Sequence, residues 1–208
     1  MKSNFNYYSL LAFFLVSTLS FSQQEASKWK ALFAVGLNSP SQTGFVKPFQ
    51  AKATNFPTIN LGIQHMFKPL LGVKLDFGYN RLSNAKTAPD FKLNFTRINV
   101  QIVYDTKNYI SFLPENMGIV VHAGPGYTMI KPLGFYSENK NSYLNAMAGI
   151  ELHYGVSRTL SLFIDTSYIV GFAKDFDPIA DGTGSFNGNM LTLTVGASVS
   201  LSGCRTCN

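Results

Sequence analysis

Apolar and polar residues alternate along most of this chain with a period of two. The clearest example runs from Leu71 to Tyr79, where odd-numbered residues are apolar and even-numbered residues are glycine or charged. Such alternation predicts β-strands with one apolar face, because successive side chains of a strand point to opposite sides. Eight segments show it, and their apolar positions are Phe33, Val35 and Leu37; Ile59, Leu61 and Ile63; Leu71, Val73, Leu75, Phe77 and Tyr79; Ile98, Val100, Ile102 and Tyr104; Ile119, Val121, Ala123 and Tyr127; Leu144, Ala146, Ala148, Ile150, Leu152 and Tyr154; Leu160, Leu162, Ile164 and Tyr168; and Leu191, Leu193, Val195, Ala197, Val199 and Leu201.

Eight strands of about 9 to 11 residues each predict an all-β fold, an eight-stranded antiparallel up-and-down transmembrane β-barrel. The connections alternate between short and long, as periplasmic turns and outer loops do in such barrels. The short ones are 67–70 and 155–158, and the long ones are 38–57, 80–94, 128–142 and 170–189. The segment 105–116 is an exception, since it belongs to the short side but is about as long as a loop.

The apolar side of these segments carries no Asp, Glu, Lys or Arg, so we expect it to face lipid. One Lys or Arg at the midplane would cost about 2 to 4 kcal/mol. The other side is rich in glycine and small polar residues, which suit the crowded inside of a narrow barrel; a lipocalin-type barrel with apolar groups inside is the alternative. Aromatic residues that close the runs predict girdles at both water interfaces. They are Phe67, Tyr79, Tyr104, Tyr127, Tyr154 and Tyr168.

The two ends of the chain differ from the barrel pattern. Residues 1–22 combine an early Lys2, a short apolar block and a small-residue exit, which predict a cleaved signal peptide, with an anchored helix as the alternative. We expect residues 23–201 to form an outer membrane β-barrel and residues 202–208 a periplasmic tail. The tail holds Cys204 and Cys207 in a C-x-x-C spacing, for which we expect a small disulfide loop or, alternatively, a mixed disulfide with a periplasmic partner.

Charged residues on the inward side nearly balance. We expect them to form a structural ion network in the lumen, because unpaired charge is costly away from water. The members are Lys74, Asp76, Arg97, Glu151, His153 and Asp165, with His122 nearby. A gated ion path or a catalytic cluster is the alternative, but an eight-stranded interior is just wide enough to be filled by side chains, so we do not expect an open pore. We predict no catalytic residue, no metal and no cofactor.

The predicted outer loops are basic and aromatic. Their basic residues would attract lipopolysaccharide phosphates, and no basic run or recognition motif suggests nucleic acid. The basic residues are Lys47, Lys52, Arg81, Lys86, Lys92, Lys131, Lys140 and Lys174, against the acids Asp90, Glu138, Asp175, Asp177 and Asp181. The last three acids suggest a calcium loop but miss the EF-hand spacing, so we expect an ordinary turn-rich loop. The aromatic residues that we expect to be exposed for contacts are Phe45, Phe49, Phe135, Tyr136, Phe176 and Phe186.

The chain resembles the small eight-stranded outer membrane barrels of the OmpA and OmpX type, particularly the porin-family barrel domains of the Bacteroidota. The resemblance lies in the signal ending 19–23, in Gly78-Tyr79 and Gly126-Tyr127, and in the last strand, 194–201. It implies a bacterial outer membrane location with extracellular loops and periplasmic termini, and a role in envelope integrity, adhesion or surface recognition. Two features depart from the family: we expect no peptidoglycan-binding domain after the barrel, and the last strand does not end in an aromatic residue.

We therefore expect a monomeric, non-enzymatic surface barrel whose partners are outer membrane lipid, lipopolysaccharide and, as a further candidate, an envelope protein. A lipid A-modifying enzyme is the alternative, because barrels of this size can carry hydrolase or acyltransferase sites on their walls. Such a site would need a His, a Ser and an acid together at the lipid face. The histidine on the apolar side is His65, which has no serine within two positions on its strand. A component of a secretion or assembly complex is a third hypothesis.

Overall fold

The structure is a computed structural model that describes residues 28–107, 113–114, 116–157 and 159–201. The predicted signal segment, the tail with Cys204 and Cys207, and part of the 105–116 connection lie outside these residues. Among the described residues, no helix is long and apolar enough to cross a membrane.

Eight antiparallel strands follow one another around a closed barrel in chain order, and β8 pairs with β1. This confirms the predicted fold. The strands are β1 (Trp29–Pro40), β2 (Asn55–Met66), β3 (Leu71–Ser83), β4 (Lys92–Asp105), β5 (Met117–Pro132), β6 (Asn141–Gly155), β7 (Leu160–Gly171) and β8 (Met190–Ser200). We call the end of the barrel with the connections 41–54, 84–91, 133–140 and 172–189 the loop end, and the opposite end the turn end.

The strands contain 11 to 16 residues, and all except β8 are longer than the predicted 9 to 11. Most of the additional residues lie at the loop end, where the alternation continues with reversed polarity. On β3, Arg81 points outward and Leu82 points inward with no exposed surface, and on β4 Leu93 is likewise buried. Beyond a lipid layer the outside of a strand faces water, so polar residues belong outside and apolar ones inside. Strand ends that are predicted from apolar residues on a single side of the strand therefore fall too early at the loop end.

The register of the sheet sets the tilt of its strands. One row of paired residues runs from Glu151 through Asp165, Thr194, Gly36, Thr58, Asn80, Phe95 and Ile130 back to Asn141. The row returns to β6 ten residues away from its start, since 151 − 141 = 10. Closing a sheet with such a stagger requires strands inclined at about 35–45° to the barrel axis.

The two faces of the wall differ sharply in chemistry. Aliphatic residues such as Val100, Ile102 and Leu144 are 56%, 62% and 64% exposed on the outside. Lys74, Arg97 and most of the other charged or amide side chains of the strands are buried inside. The lipocalin-type alternative is wrong, because it requires the opposite arrangement.

A charge in the middle of the outer face is expected to destabilise the barrel in lipid. Val100 points outward on β4, between Tyr104 and Ile98. Ile98 pairs with Tyr127, so Val100 lies between the two groups of girdle residues. We expect Val100→Arg to lower the free energy of unfolding in phospholipid vesicles by about 2 to 4 kcal/mol, measured by urea titration. Met129→Arg, two residues beyond Tyr127 on the outer face, should cost at most about 1 kcal/mol. Equal losses for both variants would contradict a lipid-facing band.

Candidate functional site

The lumen contains a buried ion pair that spans the barrel. Lys74 Nζ on β3 donates to Glu151 Oε1 on β6 at 2.6 Å, and both side chains are almost fully buried. The second oxygen of Glu151, Oε2, lies 2.7 Å from His153 Nε2. The His153 ring stacks on Phe163 of β7, with ring centroids 5.1 Å apart. The Glu151 carboxylate is thus shared between Lys74 on β3 and His153 on its own strand, at the centre of the network.

A second ion pair is formed by Arg97 and Asp76. Arg97 Nη1 donates to Asp76 Oδ2 and, at 3.1 Å, to Asn99 Oδ1. Arg97 Nη2 donates to Asn60 Oδ1 at 3.1 Å. The guanidinium therefore meets one charged and two amide acceptors, although its Nε has no hydrogen-bond partner among the described residues. Arg97 is fully buried, so these contacts must replace the water that an exposed arginine would bind.

The third group in the lumen centres on Asp165. His122 Nε2 of β5 lies 3.2 Å from Asp165 Oδ1 and 3.8 Å from Glu151 Oε1. Ser167 Oγ donates to Asp165 Oδ1 at 2.7 Å. Asp165 therefore interacts with two groups that can be neutral, whereas Glu151 and Asp76 each face a permanent cation.

Glycines on neighbouring strands make room for these large polar side chains. A Cβ atom at Gly78 would lie 2.6 Å from Arg97 Nε, and one at Gly126 would lie 2.2 Å from Asn99 Nδ2. At Gly149 it would lie 2.6 Å from His122 Nε2 and 2.2 Å from Ser167 Oγ. The inward glycines thus supply the space that the polar network fills.

The structure brings all six predicted lumen residues into one buried region, and His122 belongs to it as well. Between Lys74, Asp76, Glu151 and Asp165 there is a cavity of about 10 Å³. That volume holds about one water molecule. The described part of the lumen is therefore filled by side chains at this level.

At the mouth of the loop end, beyond a layer of buried amide and hydroxyl side chains, the interior of the barrel is apolar. A buried cluster that we call the loop-end cap fills the mouth of the barrel with residues from the strands and from the loops. It consists of Phe45, Phe49, Ala51, Leu82, Phe91, Leu93, Phe95, Ile130, Tyr143, Met147, Ile169, Phe186 and Met190. Phe186 contacts Phe45 at a ring-centroid distance of 4.8 Å and Phe95 at 6.2 Å. Segments far apart in sequence therefore share one core.

The loop aromatic residues do not all lie where we expected them. Phe45, Phe49 and Phe186 are only 8%, 5% and 0% exposed, so the prediction that they are free for contacts is wrong. Burial in the mouth removes their apolar surface from water, and the sequence could not show that the loops fold inward. Phe135 is 94% exposed and packs edge-on against Tyr136, which in turn contacts Phe49. Phe176 and Tyr136 are partly buried.

The six girdle residues lie on or just beyond the outward-facing strand positions in two groups. Phe67, Tyr104 and Tyr154 are at the turn end, and Tyr79, Tyr127 and Tyr168 are toward the loop end. Tyr79 OH donates to Asn94 Oδ1 at 2.9 Å and accepts from Arg81, while Tyr127 OH donates to Ser142 Oγ at 2.7 Å. These rings expose apolar faces while their hydroxyl groups bind polar neighbours, as interface aromatics do.

The other two candidate chemistries gain no support. His65 faces outward and packs on Trp29, with ring centroids 4.4 Å apart. In the part of the chain that the structure describes, no serine or acid hydrogen-bonds to it. Asp175, Asp177 and Asp181 do not bring their oxygens together as a metal-binding group. The one group of this kind among the described residues is His122, Glu151 and Asp165, which the sequence assigned to the lumen but not to a metal site.

Known proteins of similar structure share the barrel. No protein-family profile and no curated protein sequence matches the chain. Neisserial surface protein A superposes with a TM-score of 0.57 at 15% identity, covering 86% of this chain and 100% of that one. The N-terminal barrel domain of OprF from Pseudomonas aeruginosa gives 0.52 at 12% identity over 84% and 98% of the two chains. OprG from the same organism gives 0.51 at 10% identity over 85% and 98%. These are small outer membrane barrels, and the similarity establishes the fold.

Removing one partner of the Arg97–Asp76 pair is expected to be far more harmful than removing both. Arg97→Met leaves the Asp76 carboxylate buried without a cation, which costs about 3 to 5 kcal/mol. The double variant Arg97→Met with Asp76→Leu replaces the pair by apolar groups and should regain most of that loss. Urea unfolding of the refolded barrel measures both. An Arg97→Met barrel as stable as the parent, or a double variant no better than the single one, would refute a mutually dependent pair.

Proposed function

We propose that the protein is a non-enzymatic bacterial outer membrane barrel that acts by surface recognition, with its loop end outside the cell and its termini in the periplasm. The observation that carries the proposal is the loop-end cap, which binds the loops to one core. A barrel whose mouth is filled in this way offers a fixed surface and no wide channel. The resemblance to Bacteroidota porin-family barrels remains a prediction.

The top of the cap carries apolar side chains that the core does not use. Phe135 is 94% exposed and Ile179 is 65% exposed, each on a short 3-10 turn, Gly134–Tyr136 and Ile179–Gly182. Asn139 Nδ2 donates to the carbonyl oxygens of Ala180 and Thr183 at 3.1 and 2.8 Å, which connects the two turns. Exposed apolar groups on a braced surface are suited to contact a protein or another cell, because little ordering is needed on binding.

If this surface mediates recognition, attachment should require Phe135 but not an apolar, exposed residue at the turn end. We expect cells that display the protein to attach to cells of the same strain, and Phe135→Ser to reduce that attachment severalfold, counted by flow cytometry of two-colour mixtures. Val156→Ser, at a turn-end position that is 53% exposed, is the matched control and should attach normally.

An epitope inserted after Gly134 should be stained by antibody on intact cells, and one inserted after Val156 only after permeabilisation. Attachment unchanged by Phe135→Ser would reject the recognition role. If only the Val156 insertion were stained on intact cells, the orientation of the barrel would be the reverse of the one proposed.

The basic residues of the loop end fall into two sets, and we propose that one of them contacts lipopolysaccharide. Arg81, Lys92 and Lys131 point outward from β3, β4 and β5, just beyond the girdle. Asn94 pairs with Arg81 on one side and with Lys131 on the other, so these cations are close neighbours on the wall. We call them the wall patch. The height of the patch, next to Tyr79, favours contact with the phosphates of lipid headgroups.

Lipopolysaccharide bound to the wall patch should be lost when its charge is removed. We expect the triple variant Arg81→Gln, Lys92→Gln and Lys131→Gln to retain severalfold less lipopolysaccharide after extraction in mild detergent. The control variant Lys47→Gln, Lys52→Gln and Lys86→Gln removes the same charge from exposed loop positions and should retain the parent amount. Equal retention by both triple variants would show that the wall patch is not the surface that binds lipopolysaccharide.

A further inference from the structure

We propose that the lumen binds one divalent transition-metal ion, represented here by zinc, between His122, Glu151 and Asp165. The inference concerns the inside of the barrel and does not depend on the proposed surface function. It departs from the sequence-based expectation of a barrel without metal.

The three side chains come from adjacent strands and already point at one another. The candidate ligand atoms of His122, Glu151 and Asp165 all lie within 4.8 Å of one another, and all three residues are buried. Tetrahedral zinc with nitrogen and oxygen ligands at about 2.0–2.2 Å places neighbouring ligand atoms about 3.3 to 3.6 Å apart. The observed separations from His122 Nε2 are 3.2 Å to Asp165 Oδ1 and 3.8 Å to Glu151 Oε1. Both separations are close to those of a zinc site, and binding also requires Lys74 Nζ to leave Glu151 Oε1.

The balance of buried charges in the lumen favours the binding of a further cation. Glu151 and Asp165 are directly opposed on β6 and β7, an arrangement that is destabilising for two carboxylates unless a positive group lies between them. The buried charges of the described strands are the carboxylates of Asp76, Glu151 and Asp165 against the cations Lys74 and Arg97. Asp165 is thus the acid without a permanent cation as a partner. Imidazole nitrogen and carboxylate oxygen are both atoms that zinc accepts as ligands in proteins.

Lys74 competes with the metal for Glu151, and a small cavity beside it offers its ammonium group a second position. The cavity of about 10 Å³ is lined by Lys74, Asp76, Glu151 and Asp165. Metal bound to Glu151 would repel Lys74 Nζ into this cavity, toward Asp76. The site therefore has an internal cation that metal must displace, which predicts weaker binding than in a site without one.

Neighbouring groups are placed to orient the ligands. His153 Nε2 holds the second oxygen of Glu151 at 2.7 Å, and Ser167 Oγ donates to Asp165 Oδ1 at 2.7 Å. Gly149 leaves space for the side chains of both His122 and Ser167, since a Cβ atom there would collide with each of them. Outer partners of this kind fix ligand orientation in metal sites. Bound metal would join β5, β6 and β7 across the inside of the wall.

The test measures metal directly in the full-length barrel. Because the tail cysteines could bind zinc themselves, every variant carries Cys204→Ser and Cys207→Ser. After chelation, refolding in detergent with zinc and removal of free ion, we expect about one zinc per chain by elemental analysis. His122→Gln and Asp165→Asn should each reduce that to near zero, whereas His65→Ala, which changes the outer-face histidine, should retain it. Zinc content below one half in the parent, or unchanged by His122→Gln, would overturn the proposal.

A second variant separates a metal site from a purely structural network. Lys74→Met removes the competing cation, so its barrel should be less heat-resistant than the parent in chelator and should recover with added zinc. The midpoint of the heat-induced mobility shift on gels reports this recovery. The recovery should disappear when His122→Gln is added to Lys74→Met. A Lys74→Met barrel that zinc does not restore would contradict the site, as would recovery that persists without His122.

Discussion

Closure of eight strands around a narrow, nearly dry interior is the constraint on which the rest of this structure depends. The outer wall is apolar, so the polar half of each strand has no place except the lumen. There, each charge must find a partner, because water cannot enter in sufficient amount to solvate it. Lys74 with Glu151 satisfies this requirement between strands that are distant in sequence, and Arg97 with Asp76 satisfies it between two neighbouring strands. The same crowding explains the inward glycines, since Gly78 and Gly149 stand where a side chain would collide with Arg97 or His122.

The fold was predictable from the sequence because it rests on a local pattern. Alternation with a period of two can be counted along any strand, as in the run from Leu71 to Tyr79, and strand number follows from it. Strand ends were less predictable, since the polarity of the two faces reverses beyond the girdle at positions such as Leu82 and Leu93. This reversal is itself a readable signal. The residue at which the outward position changes from apolar to charged, between Tyr79 and Arg81 on β3, indicates the edge of the apolar band.

The candidate sites were only partly predictable, because they depend on register and on loop packing. The charged residues that point inward could be identified from the alternation alone, because they lie between the apolar positions of each strand. That Glu151 lies opposite Asp165, and that His122 reaches both, follows from the pairing of β5, β6 and β7, which one sequence does not specify. Likewise, the sequence alone suggested that the loop residues Phe45, Phe49 and Phe186 are exposed for contacts. The structure shows that the loops fold over the mouth of the barrel and bury them. Burial there depends on long-range contacts among segments separated by more than a hundred residues.

The shared core of the loop-end cap also limits how this protein can change over time. In a barrel with independent loops, each loop can vary in length and composition without affecting the others. Here Phe186 touches both Phe45 and Phe95, so a change of size at one position must be matched by a change in a different segment. Exposed tip residues such as Phe135, which are not part of the cap, are free of that requirement. Diversification among relatives should therefore be concentrated at a few tip positions, while the aromatic residues beneath them change together or not at all.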